Sequence, residues 1–144
     1  MLESRKLQDV MNKLILGDNL EIMRTLESES VDLIYLDPPF FSNRNYEVIW
    51  GDEGEIRSFK DRWSGGIDYY IAWLKERVTE MHRVLKKTGS IFLHCDWHAD
   101  AYIRVYVLDR IFWEKNFRNG IAWCYTRSVS YSILFIFVEV EVFC

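Results

Sequence analysis

Apolar and polar positions alternate between two rhythms along this chain. Lys13 to Gly17 (KLILG) is a short apolar run closed by Gly-Asp, which predicts a buried strand over 14–17 leading into a turn. Leu20, Met23 and Leu26 then come at helical spacing, predicting a helix over 19–26. Val31 to Leu36 (VDLIYL) is almost continuously apolar, the pattern of a central parallel strand covered on both faces. Residues 68–87 carry the clearest helical stripe: Tyr70, Trp73, Leu74, Val78, Met81, Val84 and Leu85 recur in steps of one, three and four, and Lys86, Lys87 and Gly89 supply a C-terminal signal. A strand over 90–95 (SIFLHC), an amphipathic helix over 99–112 and a strand over 119–126 (NGIAWCYT) complete the series.

Strands alternating with helices predict an α/β fold, with helices on both faces of a mostly parallel sheet. Two stretches break the rhythm. Residues 37–66 read as a long irregular connection rich in aromatics, and connections of that length inside compact domains are usually functional. Residues 127–144 hold a dense β-forming run and then Val-Glu-Val-Glu-Val, without turn residues. They are expected to form an edge strand or to lie outside the fold, leaving residues 1–126 as the catalytic half.

Composition narrows the class. With 144 residues, 49% hydrophobic and 28% charged, the chain is one globular domain's worth and not a disordered tail. Its longest apolar run, Ile133 to Val138, is far short of the roughly 20 residues a membrane helix needs, so no membrane partner is expected. Three widely spaced cysteines and the lack of a leader pattern at the start point to a reducing, cytoplasmic setting. The net charge of −4 gives no bulk signal for nucleic acid, so an argument for DNA has to come from a local site.

That site begins at Asp37-Pro38-Pro39-Phe40, directly after VDLIYL and holding both prolines of the chain. Ligands of open α/β sheets bind beyond the carboxyl ends of strands. Two prolines fix φ and remove amide donors, which leaves the Pro38 carbonyl little freedom beside the Asp37 carboxylate. Two acceptors next to an aromatic ring suit a flat ligand bearing an amino group; the plain alternative is a rigid turn with a solvated Asp. His94, Cys95, Asp96 and His98 invite a metal reading, but neighbours on a strand point to opposite faces and zinc normally takes four ligands, so no metal is expected.

The segment from Leu14 through Gly51, with Gly-Asp ending one strand and DPPF the next, resembles the DNA amino-methyltransferases. Their catalytic tetrapeptide is Asp/Asn/Ser-Pro-Pro-Tyr/Phe/Trp. GSIFLHCDWHADAYIRV and IFWEKNFRNGIAWCY are similar to the strand–helix–strand that comes after the tetrapeptide in the circularly permuted β-class members, so the likeness covers about residues 13–126. It implies a partial Rossmann-like methyltransferase fold, S-adenosyl-L-methionine as methyl donor and double-stranded DNA as partner. A complementing C-terminal half or a restriction subunit is a further partner in this reading. Asp37, Pro38, Pro39 and Phe40 become the catalytic set, with Phe40 also stacking on the flipped base. Asp18 and Asp37 become cofactor contacts, and Arg44 a phosphate contact. Asp18 is equally well placed to cap the helix after it.

Asp at the first tetrapeptide position leans toward adenine N6 over cytosine N4. The sequence departs from the family in one respect: none of its seven glycines forms the Gly-x-Gly of the family's cofactor loop, so weak or absent activity of this chain alone is expected. The competing readings are an RNA or protein amino-methyltransferase, against which Asp37 weighs, and a non-catalytic nucleotide- or DNA-binding remnant.

Overall fold

A computed structural model describes residues 12–41, 45–50, 55–60, 63–126 and 132–141; of 45–50, 55–60, 123–126 and 132–141 it describes the backbone only. Helix α1 (Asn19–Arg24) leads to strand β1 (Val31–Leu36), the hairpin β2 (Asn45–Trp50) and β3 (Glu55–Lys60), and helix α2 (Gly66–Val84). Strand β4 (Leu85–Asp96) follows without a loop. The chain then turns through α3 (Asp100–Tyr102), a π-helical stretch (Ile103–Leu108) and α4 (Asp109–Phe112) into β5 (Phe117–Thr126) and β6 (Ser132–Glu141).

The α/β class read from the sequence is the observed one, but its sheet is mixed. The strand order is β1-β4-β6-β5; β1 and β4 are parallel, and β6 is antiparallel to both β4 and β5. Residues 132–141 therefore form an inner strand rather than an edge strand, because their backbone pairs on both sides. The strand expected over 14–17 does not form among the described residues. Residues 12–16 pair with no described strand, and Leu14 and Leu16 are fully exposed. An apolar run becomes a strand only where a neighbour satisfies its backbone groups. The stretch read as irregular contains an antiparallel hairpin, Asn45 facing Lys60 and Trp50 facing Glu55.

Helix α2 ends at Val84, before the Lys86-Lys87-Gly89 signal, because buried Leu85 turns extended (ψ 134°) and pairs with Val31. The β1/β4 register shifts between Val31 and Leu33, and Gly89 sits at that shift. A Cβ there would lie 2.7 Å from Leu85 Cδ1 and 2.9 Å from the Asp32 carbonyl oxygen, so only glycine lets the two strands close.

Burial alternates along β4. Ile91, Leu93 and Cys95 are wholly buried, while Ser90, Phe92 and His94 are half-buried. The buried set joins Ile34 and Leu36 of β1, Met23 of α1, Leu74, Val78 and Met81 of α2, and Ile103 and Val107 of the π-helical stretch in one core. Among the described residues, the packed helices thus share one face of the sheet rather than covering both. On the opposite face of β1, Leu33 and Tyr35 are exposed. The uncovered face is where the chain leaves β1.

Candidate active site

The chain emerges from the carboxyl end of β1 as Asp37-Pro38-Pro39-Phe40, at the rim predicted from the sequence. Leu36 is the register partner of Leu93, so Asp37 and His94 come next to one another on adjacent parallel strands. Side chains alternate along a strand. With Leu93 and Cys95 turned into the core, His94 turns to the uncovered face. Its Nδ1 lies 3.0 Å from Asp37 Oδ1; the Asp37 side chain is 54% exposed and that of His94 only 13%. The Phe40 ring meets the His94 ring edge-on, with centroids 5.0 Å apart and planes at 71°. A carboxylate and an aromatic ring are thereby gathered around one imidazole.

The other side of the turn is anchored from α2. Buried Tyr70 donates its hydroxyl hydrogen to the Pro39 carbonyl at 2.7 Å, and its ring packs against Phe41 with centroids 5.5 Å apart. Phe41 has φ 60°, a left-handed conformation that costs a non-glycine residue about 1–3 kcal/mol and persists only when its surroundings over-determine it. That conformation lets consecutive aromatics diverge: Phe40 goes to His94 on the open face, and Phe41 to Tyr70 and the core. Pro38 is buried. The tetrapeptide is thus pinned at both ends, with the Asp37 carboxylate facing solvent.

Asp37 also marks its neighbourhood electrostatically. The Tyr35 hydroxyl is pushed above its ordinary value, first by desolvation and then by the Asp37 charge.

Asp18 caps α1. Its Oδ1 accepts from the Leu20 amide at 2.9 Å, and its Oδ2 accepts from Arg77 Nη2 at 2.8 Å. Desolvation works against the charged form, but the Leu20 amide and then Arg77 outweigh it, so the carboxyl lies below the usual range. Buried Arg77 also bonds Asn19 Oδ1 at 3.0 Å and the Trp73 carbonyl at 3.3 Å, with its guanidinium 4.2 Å from the Trp73 ring centre. A carboxylate has about four acceptor positions, and the half-exposed Asp18 gives two to these partners. The remainder fits an amino group such as that of a cofactor's adenine, so capping and cofactor contact are compatible on the same side chain.

Asp37, Pro38, Pro39 and Phe40 form one turn beyond the end of β1. Arg44 lies outside the described residues. Two contacts were not read from the sequence, His94 with Asp37 and Tyr70 with Pro39. The family resemblance, which puts residues 94–98 at a strand end near the cleft, was the signal for His94. Nothing in the sequence pairs Tyr70 with Pro39 across 31 positions.

The family described as DNA methylase, of the N6/N4 type, matches residues 31–138. The chain is 28% identical over 127 residues to the type II methyltransferase M.HinfI of Haemophilus influenzae, covering 85% of this chain and 34% of that protein. It is 39% identical over 80 residues to the DNA adenine methyltransferase YhdJ of Escherichia coli K12, covering 56% and 23%. In fold it is similar to the cytosine-N4-specific PvuII DNA methyltransferase, with a TM-score of 0.56 and 15% identity over 88% of this chain and 47% of that one. The chain thus spans about a third or less of the two sequence relatives. A match over most of its length, with an Asp-Pro-Pro-Phe rim at the open end of β1, places the chain in the N6/N4 DNA methylase family.

Proposed function

We propose that this chain carries the amine-binding, catalytic half of a site-specific DNA methyltransferase that acts on the exocyclic amine of a flipped base, adenine N6 in preference to cytosine N4. The observation that carries the proposal is the solvent-facing Asp37 carboxylate at the strand end, pinned beside Phe40 by His94 and Tyr70.

A base inside a duplex is out of reach, and extruding it costs a few kcal/mol. Stacking on Phe40, about 1–3 kcal/mol by analogy with single-strand platforms, offsets part of that cost. Arg44 contacts a phosphate beside the flipped nucleotide. The Asp37 carboxylate and the Pro38 carbonyl accept the two N–H groups of the amine, drawing the nitrogen lone pair out of conjugation. Asp18 and Asp37 are the residues of this chain that would hold S-adenosyl-L-methionine, whose sulfonium would supply the methyl group and leave as a neutral thioether. The amine nitrogen that takes the methyl group becomes cationic. Aspartate carboxylates in general, with a pKa of about 3.9, are too weak as bases to deprotonate such an amine beforehand. Asp37 therefore accepts the proton after the nitrogen gains its charge. Orientation supplies much of the rate. This chemistry belongs in the cytoplasm, with double-stranded DNA as the partner.

The test is expression of the chain, joined to a C-terminal half that carries the family's cofactor loop, in a host whose DNA carries no N6-methyladenine or N4-methylcytosine, followed by mapping of modified bases. N6-methyladenine in one sequence context is the expected result. N4-methylcytosine would reassign the base, and unmodified DNA would sink the proposal.

A further inference from the structure

We infer that His94 is the positioning residue for the Asp37 carboxylate and the Phe40 ring, holding Asp37 Oδ1 on one side so that Oδ2 is left to face the substrate amine. The inference rests on the methyltransferase reading for what is being positioned, but the arrangement itself is in the structure. An aspartate side chain that is half exposed at the end of a strand has several rotamers open to it. An imidazole with Nδ1 3.0 Å from Oδ1 removes most of them. The imidazole is itself fixed: β4 is clamped between β1 and β6, and the inward turn of Leu93 and Cys95 leaves His94 only the face that Asp37 occupies. Phe40, edge-on to the same ring, gains its orientation from the same source. One side chain therefore couples the group that receives the amine proton to the group that stacks on the base. Asp37 takes the proton, and His94 acts through Asp37 and Phe40, which makes it a positioning residue and not a catalytic one.

Two measurements decide this. In the 144-residue chain itself, crystal structures of the wild type and of His94→Ala are compared. The wild type is expected to keep the 3.0 Å contact and the edge-on Phe40 ring, and His94→Ala to show the Asp37 and Phe40 side chains in other rotamers. Unmoved Asp37 and Phe40 rotamers in His94→Ala would overturn the inference whatever the activity. The second measurement is methyl transfer to duplex DNA. His94→Ala is expected to lower kcat by up to about 100-fold, the scale of a misplaced reacting group, with KM little changed. His94→Asn, which keeps a polar group near the place of Nδ1, is expected to recover most of the loss. Full activity in His94→Ala alongside a dead Asp37→Ala would remove His94 from the reaction. A wild type that transfers no methyl group, together with Asp37 and Phe40 rotamers that change in His94→Ala, would refute the methyltransferase reading and leave the positioning by His94 standing.

Discussion

Tyr70, wholly buried on α2, donates its hydroxyl to the carbonyl of Pro39, 31 residues earlier, at 2.7 Å. This bond ties the helix layer to the turn that carries Asp37-Pro38-Pro39-Phe40. Replacing Tyr70 by Phe keeps the ring that packs on Phe41 and Trp63 but removes the donor. Stability should fall by roughly 0.5–1.5 kcal/mol, the net value of one hydrogen bond. Methyl transfer should fall as well, because the diproline loses its anchor. Denaturant melts and single-turnover transfer on the same preparation check both halves. A variant with unchanged melting and unchanged rate would show that the two prolines hold the turn unaided.

In the enzyme completed by a C-terminal half, Asp37→Ala should lower the methyl-transfer rate on the order of 10²–10⁴-fold, the range for one general acid–base group. The fold should survive, since the carboxylate is more than half exposed and outside the core. Phe40→Ala should weaken capture of the flipped base, whereas Phe40→Tyr should be nearly silent, because either ring can stack. Single-turnover transfer to a duplex containing the cognate site, with circular dichroism as the fold control, separates chemistry from unfolding. Turnover near wild type in Asp37→Ala would mean that the tetrapeptide is only a turn.

Local pattern was enough wherever the structure depends on local pattern. The stripe from Tyr70 to Val84 became α2 because its periodicity matches what the helix buries. VDLIYL, in contrast, became a strand at the edge of the sheet with Leu33 and Tyr35 exposed, not a central strand covered on both faces. An apolar run does not supply the layer that would cover its second face. The strand expected at Leu14–Leu16 failed on a non-local condition, since apolar character does not provide a pairing neighbour. The β2/β3 hairpin was hidden by the charges of Glu47, Glu55, Arg57 and Lys60, which mask the β pattern. Strand order is likewise absent from the chain's linear pattern, so the insertion of β6 between β4 and β5 emerged only from pairing. The site divides the same way. Asp37 to Phe40 were legible because a diproline after a buried strand is a local signal. His94 and Tyr70 reach the tetrapeptide through sheet register and helix packing.

Cys95 should be inert in the native protein. It is wholly buried on the core side of β4, and its thiol is pushed up to about 12, first by burial and then by the charges of Asp100 and Asp96. The thiolate is the reactive form, so iodoacetamide near neutral pH should leave Cys95 unmodified in the folded chain and alkylate it fully in denaturant. Peptide mapping by mass spectrometry reads the residue individually. Alkylation of Cys95 in buffer as fast as in denaturant would contradict its place in the core.

The Asp18–Arg77 pair gives the chain a signature in acid. Desolvation opposes the Asp18 charge, but the Leu20 amide and Arg77 outweigh it, so the folded-state carboxyl lies below its ordinary 3.8. A depressed carboxyl contributes its full stabilisation above the unfolded value and loses it as pH falls through the folded value. Asp18→Asn keeps an N-cap of similar quality and removes only the charge, so it isolates this contribution. The wild type should therefore melt higher than Asp18→Asn by a constant margin between about pH 5 and 7, and the margin should close as pH drops below 3.8. Arg77→Ala should cost more, about 1–3 kcal/mol, because a buried guanidinium bonded to Asp18, Asn19 and the Trp73 carbonyl leaves those acceptors unpaired. When Asp18→Asn is made on top of Arg77→Ala, the margin it produces at neutral pH should shrink, since the strongest side-chain partner of the charge is gone. A margin that persists undiminished to pH 2, or one that is unaffected by loss of Arg77, would show that Asp18 acts as a cap alone.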